Sequence, residues 1–387
     1  MKAADICTGC FACADVCPMH CISLKTSSEG FYIPEIDKEK CINCGKCDAV
    51  CSRASMVGEK KIEEVVACQN IDTDVLSISS SGGVFYELAQ AILKTGGVVF
   101  GASIDPELEV THKMASNTEE LLPLLGSKYV QSATYGIYKK VETALNSDIK
   151  VLFSGTPCQV AALYAVVGDN PNLYTVDFVC HGVPAPGIWK NYCLWIEDKY
   201  GKKIKNVNFR DKKPGGWNKF AISFSDDEGV IFSEENQKNI YMQLFLQNKI
   251  LREACYQCLQ KTEKRHSDLT MADYWAGDDF FPERAELGIS ALLINSEKGR
   301  DLLNSVKHGF TIHKSSLKEF AIVNRSLLVA ANRPNNREVI IQKLMDKGFG
   351  NNDETMLKRS KVTAIKNKVD STVQRIRLQK RLSSFDI

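Results

Sequence analysis

The sequence predicts a mixed α/β chain with an α+β start: a small cysteine-rich domain, a larger α/β domain and a basic helical tail. Three observations predict it. Nine of the fifteen cysteines fall within the first 51 residues, eight of them in two identical spacings. From residue 65 onward, apolar runs of strand length alternate with stretches of helical period, as expected for strands joined by helices. Met356 to Ser383 carry nine Lys or Arg against the single acid Asp370. A chain of 387 residues suits two or three domains with a sizeable core. The expected units are residues 1–58, the two parts 62–148 and 149–345 of one larger domain, and the tail 346–387.

Composition narrows the function. With 44% apolar and 25% charged residues the chain is ordinary globular material rather than disordered or fibrous. Lys and Arg number 49 against 47 Asp and Glu, and removing residues 356–383 leaves the remainder at about −6, so no basic body recruits nucleic acid. No apolar stretch of signal-peptide length precedes Cys7. The longest apolar candidate, Val151 to Val167, is broken by Ser154-Gly155-Thr156-Pro157 and Gln159, so no membrane span is expected. The expected location is cytoplasmic, where thiols stay reduced and read as metal ligands rather than bridges.

Cys7-x-x-Cys10-x-x-Cys13-x-x-x-Cys17-Pro18 is followed by Cys41-x-x-Cys44-x-x-Cys47-x-x-x-Cys51, the bacterial two-cluster ferredoxin pattern written twice. Three thiolates at i, i+3 and i+6 wrap one cubane, and the fourth ligand comes from the other motif. Cys7, Cys10, Cys13 and Cys51 are therefore assigned to one [4Fe-4S] cluster, and Cys41, Cys44, Cys47 and Cys17 to a second. Tetrahedral zinc favours paired C-x-x-C units set further apart. Ser52 stands where the first motif has proline, which alters the loop and not the ligands. Cys21 is expected to be an inert core thiol and His20 an exposed loop residue.

After the charged linker Glu59–Glu64, residues 65–69 read as a strand. Ser79-Ser80-Ser81-Gly82-Gly83 then opens a helix with Phe85, Leu88, Ala89 and Ile92 on one face. Amides at that helix start offer an anion site, or an ordinary cap. No Gly-x-Gly-x-x-Gly follows a strand there, so a Rossmann site is not indicated. Residues 96–102 read as a turn into a buried strand. Residues 150–163 read as strand, tight loop and helix, with Cys158 in the first turn, where the helix dipole favours a thiolate. A strand over 174–179 ends at Cys180-His181-Gly182, and Cys255-x-x-Cys258 follows. Cys158, Cys180, Cys255 and Cys258 supply the four thiolates of a third cluster; Cys158 with His181 as nucleophile and base is the competing reading. Cys68 and Cys193 have no partner at ligand spacing and are expected to pack.

The chain resembles the coenzyme F420 hydrogenase/dehydrogenase beta subunits with a fused two-cluster ferredoxin. The resemblance rests on Ser80-Ser81-Gly82-Gly83, Gly126-Ser127-Lys128-Tyr129-Val130-Gln131-Ser132, Ser154-Gly155-Thr156-Pro157-Cys158-Gln159, Cys180-His181-Gly182-Val183, Phe209-Arg210-Asp211-Lys212 before Gly216-Trp217, and Cys255-x-x-Cys258 before Ala272-Asp273-Tyr274-Trp275. It implies a flavin-binding α/β domain holding FAD, with the third [4Fe-4S] cluster beside it on Cys158, Cys180, Cys255 and Cys258. Ser81, Gly82, Gly83, Lys128 and Thr156 become candidates for flavin or deazaflavin contact. Lys128 and Arg210 are placed to neutralise phosphate or a reduced flavin anion, and Asp273 and Asp278 to bind ribityl or ribose hydroxyls.

Electron counting then sets the expected chemistry. A hydride carrier delivers two electrons and clusters take one at a time, so a flavin is the natural converter. The chain is expected to be an oxidoreductase passing electrons, in either direction, between a hydride carrier (coenzyme F420 or another) and a redox partner protein or ferredoxin. The other reading is a non-catalytic electron-transfer protein whose large domain docks a partner. Radical S-adenosylmethionine chemistry needs C-x-x-x-C-x-x-C, a spacing the chain lacks. Leu357, Ile365, Val369, Val373 and Ile376 give the tail an amphipathic helical period, read as a solvated terminal helix in preference to membrane contact.

Overall fold

The computed structural model describes residues 6–51, 58–275, 277–351 and 353–357. Met1–Asp5, Ser52 and nearly all of the basic tail lie outside them, so the expectations for Ser52 and the tail helix fall beyond the described residues.

The ferredoxin part has one hairpin, β1 (Ile22–Thr26) and β2 (Tyr32–Ile36), flanked by short helical turns at Ala12–Asp15 and Lys46–Ala49 that carry the cysteine loops. The large domain is built on eight strands: β3 (Glu64–Asn70), β4 (Val98–Ile104), β5 (Val110–Ala115), β6 (Val151–Gly155), β7 (Leu173–Phe178), β8 (Leu269–Asp273), β9 (Ser290–Ile294) and β10 (Phe310–Ser315). Their order across the sheet is β10-β3-β9-β8-β7-β6-β4-β5. The neighbours β4, β6, β7 and β8 run parallel, and antiparallel strands close both sides. Strands buried on both faces need continuous apolar runs, which Val98-Val99-Phe100 and Val151-Leu152-Phe153 supply. The mixed α/β class is as expected.

Helix α1 (Val84–Leu93) buries Val84, Leu88, Ala89 and Ile92 against the sheet. Phe85, expected on that packed face, is half-buried against the same core and also lines a cavity. Helices α2 (Ile137–Asn146) and α3 (Pro157–Val167) cover the sheet near the ferredoxin part. A second core gathers under α4 (Pro186–Tyr200), where Trp189 packs within 4.8 Å of Phe209 and 5.2 Å of Tyr241. No helix among the described residues is long and apolar enough to cross a membrane.

The ferredoxin part is bonded tightly to the large domain. Asp15, 4% exposed, accepts from the amides of Gly136, Tyr138 and Lys139 at 2.7, 2.9 and 3.4 Å, so its carboxylate sits on the positive end of α2. Arg337, 1% exposed, grips Glu29 through two bonds of 2.7 Å. Gly9, at φ +72°, is required by close approach: a Cβ there would stand 2.3 Å from Gln131 Nε2 and 2.8 Å from Arg252 Nη2. Removing the Asp15 carboxylate strands buried amide donors, at about 1–3 kcal/mol. Asp15→Ala is therefore expected to lower the denaturant midpoint by that amount, whereas Asp227→Ala, at an exposed ion pair, changes stability by less than about 0.5 kcal/mol.

Candidate functional site

Parallel strands release their loops at their carboxyl ends, and a cavity of about 420 Å3 lies there, over β6, β7 and β8. Ser154–Thr156, Phe178–Cys180 and Met271–Asp273 line it, with Phe85, Tyr129 and Trp275 among its apolar walls. Its size and mixed lining are those of a small-molecule or cofactor site. Of the sequence candidates, Ser81, Gly83, Lys128, Thr156 and Arg210 reach its surface, as does Asp273. Gly82 needs correction. It is buried off the cavity wall, its amide donates to Ser290 Oγ at 2.9 Å, and a Cβ would stand 2.5 Å from Cys68 O. Its smallness lets the loop lie on the sheet rather than contact a ligand. Asp278 likewise lies off the wall, in a 3-10 turn beyond Trp275.

The polar groups in this cavity are few and specific. Arg210 is 5% exposed; Nη1 pairs with Asp273 at 2.5 Å, and the guanidinium lies 4.5 Å from the Phe220 ring and 5.5 Å from that of Trp275. Nε and Nη2 are buried with no acceptor among the described residues. Buried donors are normally paired, so these two point to an acceptor supplied by a ligand. Lys128 Nζ donates to the carbonyls of Pro123 at 2.9 Å and Leu125 at 2.6 Å. Burial pulls its ammonium down to about 7. His112, which sequence reasoning missed inside an alternating strand, is held by Ser132 Oγ at 2.7 Å and Ser154 O at 3.0 Å. Burial pulls it down to about 4, so it is neutral at pH 7; Nε2 carries the proton, because Ser154 O only accepts.

A second, smaller cavity adjoins the first. Cys158, Cys180, Cys255 and Cys258, scattered over a hundred residues of sequence, all line it, beside Arg252 and Lys261. Thr8, Thr156, Cys158, Cys180 and His181 line both cavities and form the wall between them. Among the described residues no three His, Cys, Asp or Glu side chains stand close enough to hold a single metal ion; the four thiols ring a space. Cys158 sits in the first turn of α3, behind the capping box of Thr156 and Gln159, with Thr156 Oγ1 3.1 Å from its sulfur. The expected dipole-stabilised thiolate is not found. Burial outweighs the helix end and pushes the Cys158 thiol well up, as it pushes Cys180 up to about 12. Such thiols are poor nucleophiles, which disfavours the Cys158–His181 pair, and they ionise when a metal binds.

In the ferredoxin part, a cavity of about 140 Å3 is lined by Cys17, Cys41, Cys44 and Cys47. The thiol of Cys7 feels Cys10 and Cys51, and that of Cys13 feels Cys10, Cys7 and, from the other motif, Cys47, so the two sets of cysteines adjoin. Cys10 is also felt by Cys158 across the domain seam. Cys21 is buried in the ferredoxin core as expected, and its sulfur lies 3.3 Å from that of Cys17 beside the outer cavity. Cys68 and Cys193 are buried in the two main cores, and His20 is exposed. Sequence reasoning also missed Arg252 and Lys261, since a lone cation beside Cys255-x-x-Cys258 carries no spacing signal.

Residues 148–319 match the family model for the C terminus of the coenzyme F420 hydrogenase/dehydrogenase beta subunit, and residues 6–54 match the 4Fe-4S dicluster domain. Residues 148–319 thus carry the C-terminal domain of the coenzyme F420 hydrogenase/dehydrogenase beta-subunit family. The chain is an iron–sulfur electron-transfer protein with its dicluster domain at the N-terminal end. It is 34% identical over 74 residues to the A-type subunit of the H2:CoB-CoM heterodisulfide,ferredoxin reductase of Methanothermobacter thermautotrophicus, and equally to that of Methanothermobacter marburgensis. Each alignment covers 16% of this chain and only 11% of the relative. Among solved structures, it resembles a chain of the F420-reducing [NiFe] hydrogenase complex from Methanosarcina barkeri at 18% identity and TM-score 0.46, covering 75% of this chain and 90% of that one.

Lys128 gives a pH test of the cavity. Its amine titrates at about 7 folded and near 10.4 unfolded, so between those values the unfolded chain binds the extra proton. Stability therefore falls as pH drops from about 10 to 7, and rises in the other direction. Denaturant titrations of the wild type and Lys128→Met at pH 7, 8 and 9 are expected to show the wild type gaining on the variant at each step. A constant difference contradicts an amine that titrates near 7 in the folded chain.

Proposed function

We propose that this chain is an iron–sulfur flavoprotein oxidoreductase. It passes electrons between a hydride carrier, coenzyme F420 or similar, and a one-electron partner such as a ferredoxin, through FAD and three [4Fe-4S] clusters. The observation that carries the reading is the shared wall: the cavity with the unpartnered Arg210 donors abuts the one ringed by Cys158, Cys180, Cys255 and Cys258, and Cys158 in turn feels Cys10.

The residues present fit the groups. Four thiols at one cavity match the ligand count of a cubane. In the larger cavity, Nε and Nη2 of Arg210 offer two donors in a fixed fork to a phosphate or a ring carbonyl, and Asp273 fixes the fork's direction. Ser81, Gly83 and Thr156 lend small surfaces where a flat ring system can approach the backbone. FAD, when bound, supplies the exchange between two-electron hydride chemistry and one-electron transfer. Around it, His112 stays neutral and oriented by its two bonds, and Lys128 holds or releases a proton at Nζ near neutral pH. The cavity with its vacant donors favours a bound cofactor over a large domain that only docks a partner.

Anaerobic purification with iron and flavin counting tests this. Three cubanes predict about twelve irons per chain with one flavin, and about eight irons with no flavin absorbance overturns the reading. Arg210→Met is expected to weaken FAD binding at least about tenfold, or about 1.4 kcal/mol, in a fluorescence titration of deflavinated protein.

A further inference from the structure

One buried cation lies on the seam between the ferredoxin part and the four-cysteine cavity. Arg252 is 4% exposed. Its Nε donates to Cys7 O at 2.8 Å, Nη2 to Tyr32 O at 2.7 Å, and Nη1 to Gln131 Oε1 at 3.3 Å. Its guanidinium stacks 5.1 Å from the Phe31 ring, and it lines the cavity of Cys158, Cys180, Cys255 and Cys258. Among the described residues it makes no ion pair with a carboxylate. Burying an unpaired guanidinium costs several kcal/mol unless negative charge stands nearby. The groups that act to hold its charge are sulfurs from both sides of the seam: Cys7 and Cys10 of the first ferredoxin motif, and Cys158 and Cys255 of the cavity. Arg252 also precedes the short helix Glu253–Tyr256, so the segment that carries the cation carries Cys255 as well.

We propose that Arg252 is the electrostatic bridge between the cavity-side cluster and the ferredoxin cluster of Cys7, Cys10, Cys13 and Cys51, a positioning residue that raises the reduction potential of both. This rests on the cluster assignment above. Four thiolates leave each cubane site anionic, and an added electron makes it more so; a fixed positive charge between the two stabilises the reduced form of either. When an electron crosses the seam one cubane is oxidised by one and the other reduced by one, with no bond or proton moved. The guanidinium lessens the repulsion between the two sites. The outer cluster of Cys17, Cys41, Cys44 and Cys47 makes no such contact and feels the charge less.

The test is an EPR-monitored redox titration of anaerobically purified holoprotein. In Arg252→Gln the two flanking clusters are expected to become about tenfold harder to reduce, about 59 mV for one electron, while the outer cluster stays near its wild-type potential. Arg252→Lys keeps the charge and is expected to restore most of the shift. Gln131→Glu sets a carboxylate beside Nη1 and is expected to lower the same two potentials with the guanidinium still in place, which keeps the test open if Arg252→Gln fails to assemble. Wild type with about twelve irons and unchanged potentials in Arg252→Gln and Gln131→Glu overturns the bridge alone, as does an equal shift of all three clusters. Wild type with about eight irons overturns the cluster assignment itself, and the bridge with it.

Discussion

Parallel strands point their carboxyl ends the same way, and the rest of this molecule depends on that constraint. β6, β7 and β8 lie side by side, so the loops that leave them at Thr156, Val179 and Tyr274 must meet at one edge of the sheet. Two of those loops carry Cys158 and Cys180, and the third carries Asp273 and Trp275. The antiparallel strands on either side add core and contribute His112 and Ser290 to the cavity wall. Reversing one central strand would send its cysteine to the opposite end of the sheet.

The second constraint is the seam. A small iron–sulfur domain has little core of its own; here Phe11, Ala14, Cys17, Cys21 and Ile22 make up its buried cluster. It gains rigidity from the large domain through Asp15 on the start of α2, Glu29 on Arg337 and the Gly9 loop against Gln131 and Arg252. Electron transfer needs a fixed separation between carriers. The contacts that fix the ferredoxin part in place are also those that bring Cys10 within electrostatic reach of Cys158.

How much was legible depended on whether the chemistry has a period. The paired cysteine spacings are local, so their grouping could be read directly, and strand β6, helix α3 and strand β7 fell where the apolar runs and the tight loop between them placed them. Cys158, Cys180, Cys255 and Cys258 stand out as a set in the sequence, but only the parallel sheet shows why they meet. Gly82 misled because glycine serves a close backbone approach as readily as a ligand contact, and the sequence does not distinguish Cys68 O from a phosphate. His112, Arg210's vacant donors and Arg252 depend on partners remote in sequence, and no spacing encodes those.

In the proposed function electrons cross from the large cavity to the ferredoxin part by way of the four-cysteine cavity. Stopped-flow reduction of Cys255→Ala holoprotein by a hydride donor, with flavin and cluster absorbance followed together, tests it most directly. The account predicts that the flavin still bleaches at the wild-type rate while reduction of the ferredoxin clusters slows by orders of magnitude. Ferredoxin clusters reduced as fast as in the wild type would contradict it.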